Sequence, residues 1–178
     1  MSLNDTQKEV HMKLSISILQ VEQVTQSYIN WFSSKEVVRY SDNQYRKFSF
    51  DKLRSYVQSC LQNEDVNLYG IFDNTSHIGN IVISGLSSHH RKAELTYVIG
   101  KTNYWGKGVA SFAIANMIQI AKEEFGLNKL YAGVARGNIG SGKALEKNGF
   151  IIEGTRKQHL FYGGDFFDQI DYALMLRD

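Results

Sequence analysis

The feature that most constrains this fold is a strand that leads through a glycine-rich turn into a long helix. Residues 93–99 have strand character, and residues 105–110 read WGKGVA. In residues 106–125 the apolar side chains recur on one side, as in an amphipathic helix. The first amides of a helix are unpaired and its dipole favours negative charge, so this turn predicts an anion-binding site.

The rest of the pattern mixes strands and helices without a linker or repeat. Strands are predicted at residues 13–19, 68–72, 78–84, 129–135 and 150–153, with two more within 158–176, and helices at 21–32, 49–63 and 141–148. Strands dominate the middle and only two helices intervene later, which favours a mixed α+β sheet over a doubly wound parallel one. Residues 12–178 are expected to form a single domain after a disordered lead-in at residues 1–11.

Composition excludes several classes of protein. A formal charge of +2 gives no reason to expect nucleic acid or an anionic membrane as a partner. The single cysteine, Cys60, excludes an intrachain disulfide and a cysteine zinc cluster, and its apolar helical stripe predicts burial. No apolar run approaches the ~20 residues of a membrane span, and residues 1–11 lack a signal-peptide core. We expect a cytoplasmic protein without a metal.

Other interpretations of the glycines compete with an anion-binding helix start. Residues 137–144, GNIGSGKA, come within one residue of a P-loop, but Ala144 lacks the hydroxyl that would hold Mg²⁺. Residues 106–111 overlap a dinucleotide-binding pattern, but no acidic residue ends a strand about twenty residues later. A glycine-rich helix start that binds no ligand is also open.

Two motifs about 30 residues apart resemble those of the GCN5-related N-acetyltransferase (GNAT) superfamily. Gly108 and Ala110 match the signature Gln/Arg-x-x-Gly-x-Gly/Ala, with Trp105 in its first position. Asn138 and Ser141, followed by LEKNGF at residues 145–150, resemble the second block. The resemblance covers nearly the whole chain from Met12, on a RimJ/RimL-like branch, and looks closest to amino-sugar acetyltransferases of nucleotide-sugar pathways.

The resemblance implies a twisted, mostly antiparallel sheet of six to seven strands with about four helices, and acetyl-CoA as cosubstrate. The residues expected to bind coenzyme A are Val98, Ile99, Gly100, Trp105, Gly106, Lys107, Gly108, Val109, Ala110, Asn138, Ser141 and Lys143. Backbone amides at residues 98–100 would stabilise the oxyanion.

Glu94 is the first candidate for the base that deprotonates the amine, although a structural pair with Lys92 is equally open. His77 and His159 are reserve candidates. Many relatives protonate the leaving thiolate with a tyrosine where this chain has Leu145, so Ser141 takes that role here, with helix capping as its alternative.

The expected reaction is transfer of an acetyl group to a primary amine of a small molecule, with an amino-sugar nucleotide favoured. Trp31, Arg39, Tyr40 and Tyr162 are the expected acceptor-binding residues. Alternatives are a protein N-terminal or polyamine acetyltransferase and a non-catalytic coenzyme-A-binding module. A homodimer is compatible with the sequence.

Overall fold

The computed structural model describes residues 12–177, which contain a seven-stranded sheet and four α-helices. The strands are β1 (Leu14–Ile18), β2 (Val66–Asp73), β3 (Ser76–Ser87), β4 (Lys92–Ile99), β5 (Lys129–Ala135), β6 (Ile151–Tyr162) and β7 (Asp165–Met175). The helices are α1 (Gln26–Trp31), α2 (Phe50–Leu61), α3 (Val109–Glu123) and α4 (Ile139–Lys147). The strand order is β1-β2-β3-β4-β5-β7-β6, and only β4 and β5 are parallel neighbours. The predicted mixed, mostly antiparallel fold is confirmed. The predicted lead-in at residues 1–11 lies outside the described residues.

The helices cover opposite faces of the sheet. Leu68 of β2 belongs to a core with α1 and α2, whereas its neighbour Tyr69 belongs to a core with α3 and α4. Successive side chains of a strand point to opposite sides, so the two cores lie on opposite faces. We call them the α1 face and the α3 face. Cys60 is buried on the α1 face, as its pattern predicts.

The two parallel strands separate part of the way along β4. Residues 92–94 pair with residues 129–131 of β5, whereas β4 stays paired with β3 as far as Ile99. The Arg91 carbonyl accepts from the Lys129 N–H at this edge (3.1 Å). Backbone groups alternate along a strand, so those of Tyr97 and Ile99 also turn toward β5, where no strand partner meets them. We call this gap the β4–β5 opening.

One predicted helix is wrong because a capping residue interrupts it. Residues 21–32 do not form a single helix: a 3₁₀ turn at Val21–Gln23 is followed by the shorter α1. The Thr25 hydroxyl accepts a hydrogen bond from the Tyr28 N–H (3.3 Å). A threonine in this position satisfies an otherwise unpaired amide and starts a new helix.

One predicted strand boundary is also wrong. The expected strand at residues 150–153 and the first strand of the pair in 158–176 are one strand, β6. Its pairing with β7 shifts register twice, and Gln158 has a φ of 48°. Bulges of this kind bend a strand without ending it, and the alternation of side chains is lost across them.

Gly100 follows β4 and lies directly against the indole ring of Trp31. A methyl group at position 100 would overlap that ring, which is only 4% exposed and has no solvent to move into. We expect Gly100→Ala to lower the free energy of unfolding by about 1–3 kcal/mol. Thermal unfolding should show a Tm lower by roughly 3–10 °C. Gly154→Ala is the control, because the new carbon meets only the Asp171 carboxylate, at 4.0 Å. An equal loss of stability in both variants would contradict the overlap with Trp31.

Candidate active site

The long helix begins later than its apolar pattern suggests. α3 starts at Val109 rather than Gly106, because Gly106 (φ 73°) and Gly108 (φ 81°) are in left-handed conformations. Glycine adopts such angles without the steric cost of a Cβ. The two glycines therefore form the turn into the helix, and Gly108 is its N-cap.

The start of α3 presents unpaired backbone donors to open space. Its first hydrogen bond runs from the Phe112 N–H to the Gly108 carbonyl (2.9 Å). The amides of residues 109–111 therefore have no acceptor within the helix. A Cβ placed on Gly106 or Gly108 would meet nothing within 4 Å. We call residues 106–111 the anion cradle, because such donors and the helix dipole fit a phosphate group.

Trp105 ties the cradle to the end of β4. Its indole N–H donates to the carbonyl of Ile99 (2.8 Å). Trp105 occupies the position that is Gln or Arg in the signature, and its indole N–H bonds to the protein's own backbone. Lys107 is exposed, with its ammonium 6.0 Å from the ring centroid of Tyr104. The cradle thus has an exposed cation beside it and a hydrogen-bonded link to the β4–β5 opening.

The second motif forms a helix start, and the P-loop interpretation is wrong. Asn138 is the N-cap of α4, and its side-chain oxygen accepts from the Ser141 N–H (3.3 Å). Gly140 and Gly142 lie inside α4, so no glycine loop can wrap a phosphate there. The capping role proposed for Ser141 belongs to Asn138.

Ser141 lies across the β4–β5 opening from Tyr97. The Tyr97 hydroxyl donates to the Ser141 carbonyl (3.1 Å), and burial raises the pKa of Tyr97 to about 12, so the phenol keeps its proton. The Ser141 hydroxyl also lies within hydrogen-bond reach of the Tyr97 phenol, so the two side chains meet at this point. Sequence reasoning missed Tyr97, although its alternation with the buried Leu95 was a usable signal.

Lys143 and Asn138 lie on a different side of α4. Together with Arg136, Glu146 and Tyr172 they line a cavity of about 170 Å³ between α4 and strands β5 and β7. The Tyr172 hydroxyl donates to the Glu146 carboxylate there (3.2 Å). Lys143 is exposed at the mouth of this cavity, so it adds positive charge near the N-terminus of α4.

Glu94 lies where β4 and β5 begin to separate. Its neighbours Ala93 and Leu95 are in the core of the α3 face, so the half-buried Glu94 side chain is on the α1 face. The proposed pair with Lys92 is not formed: the Lys92 ammonium lies 5.8 Å from the centroid of the Tyr131 ring. Within the described residues, the Glu94 carboxylate has no hydrogen-bond or ion-pair partner.

The backbone amides expected to stabilise an oxyanion are not all available. The Gly100 N–H donates to the carbonyl of Ile78 (2.9 Å), and Val98 pairs with Asn80 of β3. The amides of Ile99 and Tyr97 are the ones that turn toward the β4–β5 opening. Candidate donors therefore alternate along the strand rather than forming a consecutive run.

The segment between α1 and α2 spans the two separating strands. Trp31 packs on Gly100 beyond the end of β4, and the Tyr40 hydroxyl lies against Gly137 beyond the end of β5. Tyr40 also contacts the Phe167 ring edge-on at a centroid distance of 5.7 Å. We call residues 32–47 the bridging loop.

The bridging loop gathers three of the four residues expected to bind the acceptor. Arg39 is exposed and lies 5.1 Å above the Tyr40 ring. Burial and the nearby Asp42 carboxylate raise the pKa of Tyr162 to about 12. The Tyr45 hydroxyl donates to the Phe161 carbonyl (2.6 Å) and fixes the loop on the β6–β7 hairpin. Trp31 lies apart from them, buried beside Gly100.

Within residues 12–177, no group of three histidine, cysteine, aspartate or glutamate side chains is arranged to hold a metal ion. No helix in this part of the chain has the length and apolar character needed to cross a membrane.

Comparisons with known proteins identify the family. Residues 18–151 match the acetyltransferase (GNAT) domain family. YdaF of Bacillus subtilis (strain 168), provisionally named a ribosomal N-acetyltransferase, is 34% identical over 109 residues, which span 61% of this chain and 59% of YdaF. The structure of spermidine N-acetyltransferase from Vibrio cholerae with CoA and spermine has a TM-score of 0.79 at 21% identity, over 92% of this chain and 95% of that one. A RimL ribosomal L7/L12 alpha-N-protein acetyltransferase with coenzyme A has a TM-score of 0.82 at 19% identity, over 91% and 93%. The chain therefore belongs to the GNAT acetyltransferase family and is an N-acetyltransferase.

Proposed function

We propose that acetyl-CoA binds with its pyrophosphate on the anion cradle and its pantetheine arm in the β4–β5 opening. The observation that carries this proposal is the link from the Trp105 indole to the Ile99 carbonyl, which holds the cradle at the open end of β4. The acetyl group would then lie between Tyr97 on β4 and Ser141 on α4. An amine would reach it from the α1 face, where the bridging loop and Glu94 lie.

The reaction is a direct transfer without a covalent enzyme intermediate. The amine nitrogen forms a bond to the thioester carbon, the carbon–sulfur bond breaks, and the amine gives up a proton. Glu94 accepts that proton through bound water, since a rise of ~3.3 Å per residue puts it about 10 Å from Tyr97 along the strand. The amides of Tyr97 and Ile99 stabilise the carbonyl oxygen, and the Ser141 hydroxyl hydrogen-bonds the departing thiolate.

The acceptor that best fits the charge of the bridging loop is an anionic amine such as an amino-sugar nucleotide. The loop carries four cations, Lys35, Arg39, Arg46 and Lys47, against two carboxylates. None of these cations forms an ion pair with a carboxylate in the described residues, and Asp42 faces the Tyr162 hydroxyl. Uncompensated positive charge attracts a diphosphate and repels a polyamine.

A protein N-terminal amine is the second candidate. The name of YdaF and the RimL structure favour it over an amino sugar, because both belong to acetylation of ribosomal proteins. The spermidine enzyme shares the fold at 21% identity, but the charge of the bridging loop does not suit its substrate. The choice of an amino sugar depends on loop charge and on the sequence resemblance.

The test is release of coenzyme A thiol from acetyl-CoA with three acceptors: UDP-glucosamine, a peptide with a free N-terminus, and spermidine. We expect the highest kcat/KM with UDP-glucosamine, and a rise in its KM with added salt because the attraction is electrostatic. Turnover with the peptide alone would establish the second candidate. If acetyl-CoA binds but none of the three amines gives turnover, the proposed acetyl transfer is wrong, and the result supports a non-catalytic coenzyme-A-binding module.

Ser141→Ala tests the leaving-group role. We expect kcat to fall about tenfold, which is less than the usual 10²–10⁴-fold of acid–base assistance because a thiolate leaves readily. The helix should remain, since Asn138 caps it through the backbone of Ser141. Ser59→Ala on α2 is the control, because that hydroxyl bonds only locally to the Tyr56 carbonyl (2.8 Å). Unchanged kcat in Ser141→Ala, measured under saturating substrates, would remove the residue from the reaction.

A further inference from the structure

Two ring nitrogens on adjacent rings of the α1 face have no hydrogen-bond partner among residues 12–177. They are Nε1 of Trp31 and Nδ1 of His77, and both are shielded from solvent. The residues are 4% and 8% exposed, and their ring centroids lie 4.7 Å apart. An unpaired buried polar atom costs about 1–3 kcal/mol, so a close pair of them points to a bound group.

A bulge in β3 explains why His77 faces this way. Phe72 of β2 pairs with His77 and Ile71 pairs with Gly79, which leaves Ile78 as the extra residue. Residues three apart on a regular strand point to opposite faces, but across the bulge His77 and Asn80 share one. His77 Nε2 lies 2.7 Å from Asn80 Oδ1 as a result.

The Asn80 contact fixes the chemical character of the imidazole. A side-chain amide oxygen only accepts, so this contact favours the tautomer in which Nε2 carries the hydrogen and donates it. Burial lowers the pKa of His77, which keeps the ring neutral. In a neutral ring protonated on Nε2, Nδ1 is an acceptor. The Trp31 indole N–H is a donor only, so the two unpartnered atoms are complementary.

We propose that Trp31 and His77 bind a single O–H group between them. An oxygen that accepts from the indole and donates to the imidazole satisfies both atoms, and two bonds of ~2.9 Å span the space between adjacent rings. Either a water molecule or a hydroxyl of the acceptor supplies this O–H group. Binding of water at this site is independent of the proposed acetyl transfer, whereas binding of an acceptor hydroxyl rests on that proposed function.

The surroundings make the site selective for one small polar group. The Tyr28 ring meets His77 edge-on at 5.1 Å, and the Phe72 ring stacks on it at the same distance. The indole in turn lies against Gly100, next to the strand end that faces the β4–β5 opening. The bound O–H group thus links α1 to β3 and holds Trp31 against the end of β4.

NMR on the intact protein tests the proposal. We expect the indole proton of Trp31, distinguished from the only other tryptophan by Trp105→Phe, to show a cross-peak to long-lived water without ligand. A cross-peak or shift that appears only with UDP-glucosamine would identify an acceptor hydroxyl instead. Absence of both would overturn the proposal, as would an Nδ1-protonated tautomer in ¹⁵N spectra of His77.

A double-mutant cycle gives an independent measurement. Trp31→Phe removes the donor, and His77→Gln removes Nδ1 while keeping an amide donor toward Asn80. Each variant raises the unfolding equilibrium constant by some factor. If one O–H group joins the two residues, the factor for the double variant should be at least fivefold smaller than the product of the two single factors. A strictly multiplicative result would overturn the proposal. Should a variant not fold, the NMR measurement on the wild-type ring decides.

Discussion

Replacing Glu94 with glutamine is expected to lower kcat about 100-fold or more while leaving the KM for acetyl-CoA unchanged. The amide keeps the size of the side chain but cannot accept the proton of the attacking amine, and such acid–base contributions are about 10²–10⁴-fold. The structure leaves the carboxylate available for this role, because Lys92 turns to Tyr131 instead of pairing with it. Steady-state kinetics with the best acceptor is the measurement.

Glu153→Gln is the matched control for this variant. Glu153 is a strand carboxylate whose partner, the Lys129 ammonium, lies 2.6 Å away. Losing this partly exposed pair should change stability by less than about 1 kcal/mol and leave kcat intact. Wild-type kcat in Glu94→Gln would show that the proton goes elsewhere. Equal loss of kcat in both variants would point to a general charge effect.

Replacing Gly108 with valine is expected to raise the KM for acetyl-CoA by roughly 10- to 100-fold. The φ of 81° is costly for a β-branched residue, by about 1–3 kcal/mol, and 1.4 kcal/mol corresponds to a tenfold change. Because a Cβ there meets nothing within 4 Å, the effect comes from the backbone and not from a clash with the protein. The cradle amides would turn away from the pyrophosphate.

Two variants separate this effect from general strain. Gly163→Val places the same residue at a φ of 61° in the open β6–β7 turn, so it should lose stability without changing KM. Gly108→Asn should retain most of the affinity, because asparagine tolerates the left-handed conformation. Isothermal titration with coenzyme A measures all three. An unchanged Kd in Gly108→Val would remove the glycine turn from cofactor binding.

Sequence patterns predicted the helices and strands that depend on interactions between residues close together in the chain. The strand at residues 129–135 matches β5, and the strands expected at residues 68–72 and 78–84 lie within β2 and β3, which pair as neighbours. The helix expected at residues 21–32 failed because a single threonine cap outcompeted a continuous apolar pattern. The start of α3 was misplaced because helical periodicity carries no information on the φ of Gly106 and Gly108.

The candidate site was predictable in its parts but not in its arrangement. The motifs indicated Gly108 and Ser141 because their chemistry is encoded in short segments. The hydrogen bond from Tyr97 to the Ser141 carbonyl joins residues 44 apart and depends on where β4 leaves β5. The Trp31–His77 pair depends on a bulge for which Gly79 is the local signal, and a glycine inside a strand does not by itself say which side chains change face.

Separate segments of the chain are proposed to bind coenzyme A and the acceptor, and this separation allows acceptor specificity to be changed by itself. The proposed cofactor half comes from one continuous stretch, residues 93–148, and the bridging loop with the adjoining Trp31 meets this stretch at Gly137 and Gly100. Transplanting residues 32–47 from a relative, with those two anchors preserved, should therefore exchange the amine that is acetylated and leave coenzyme A affinity as it was. The loop would then determine acceptor specificity, and the rest of the site would supply the acetyl group unchanged.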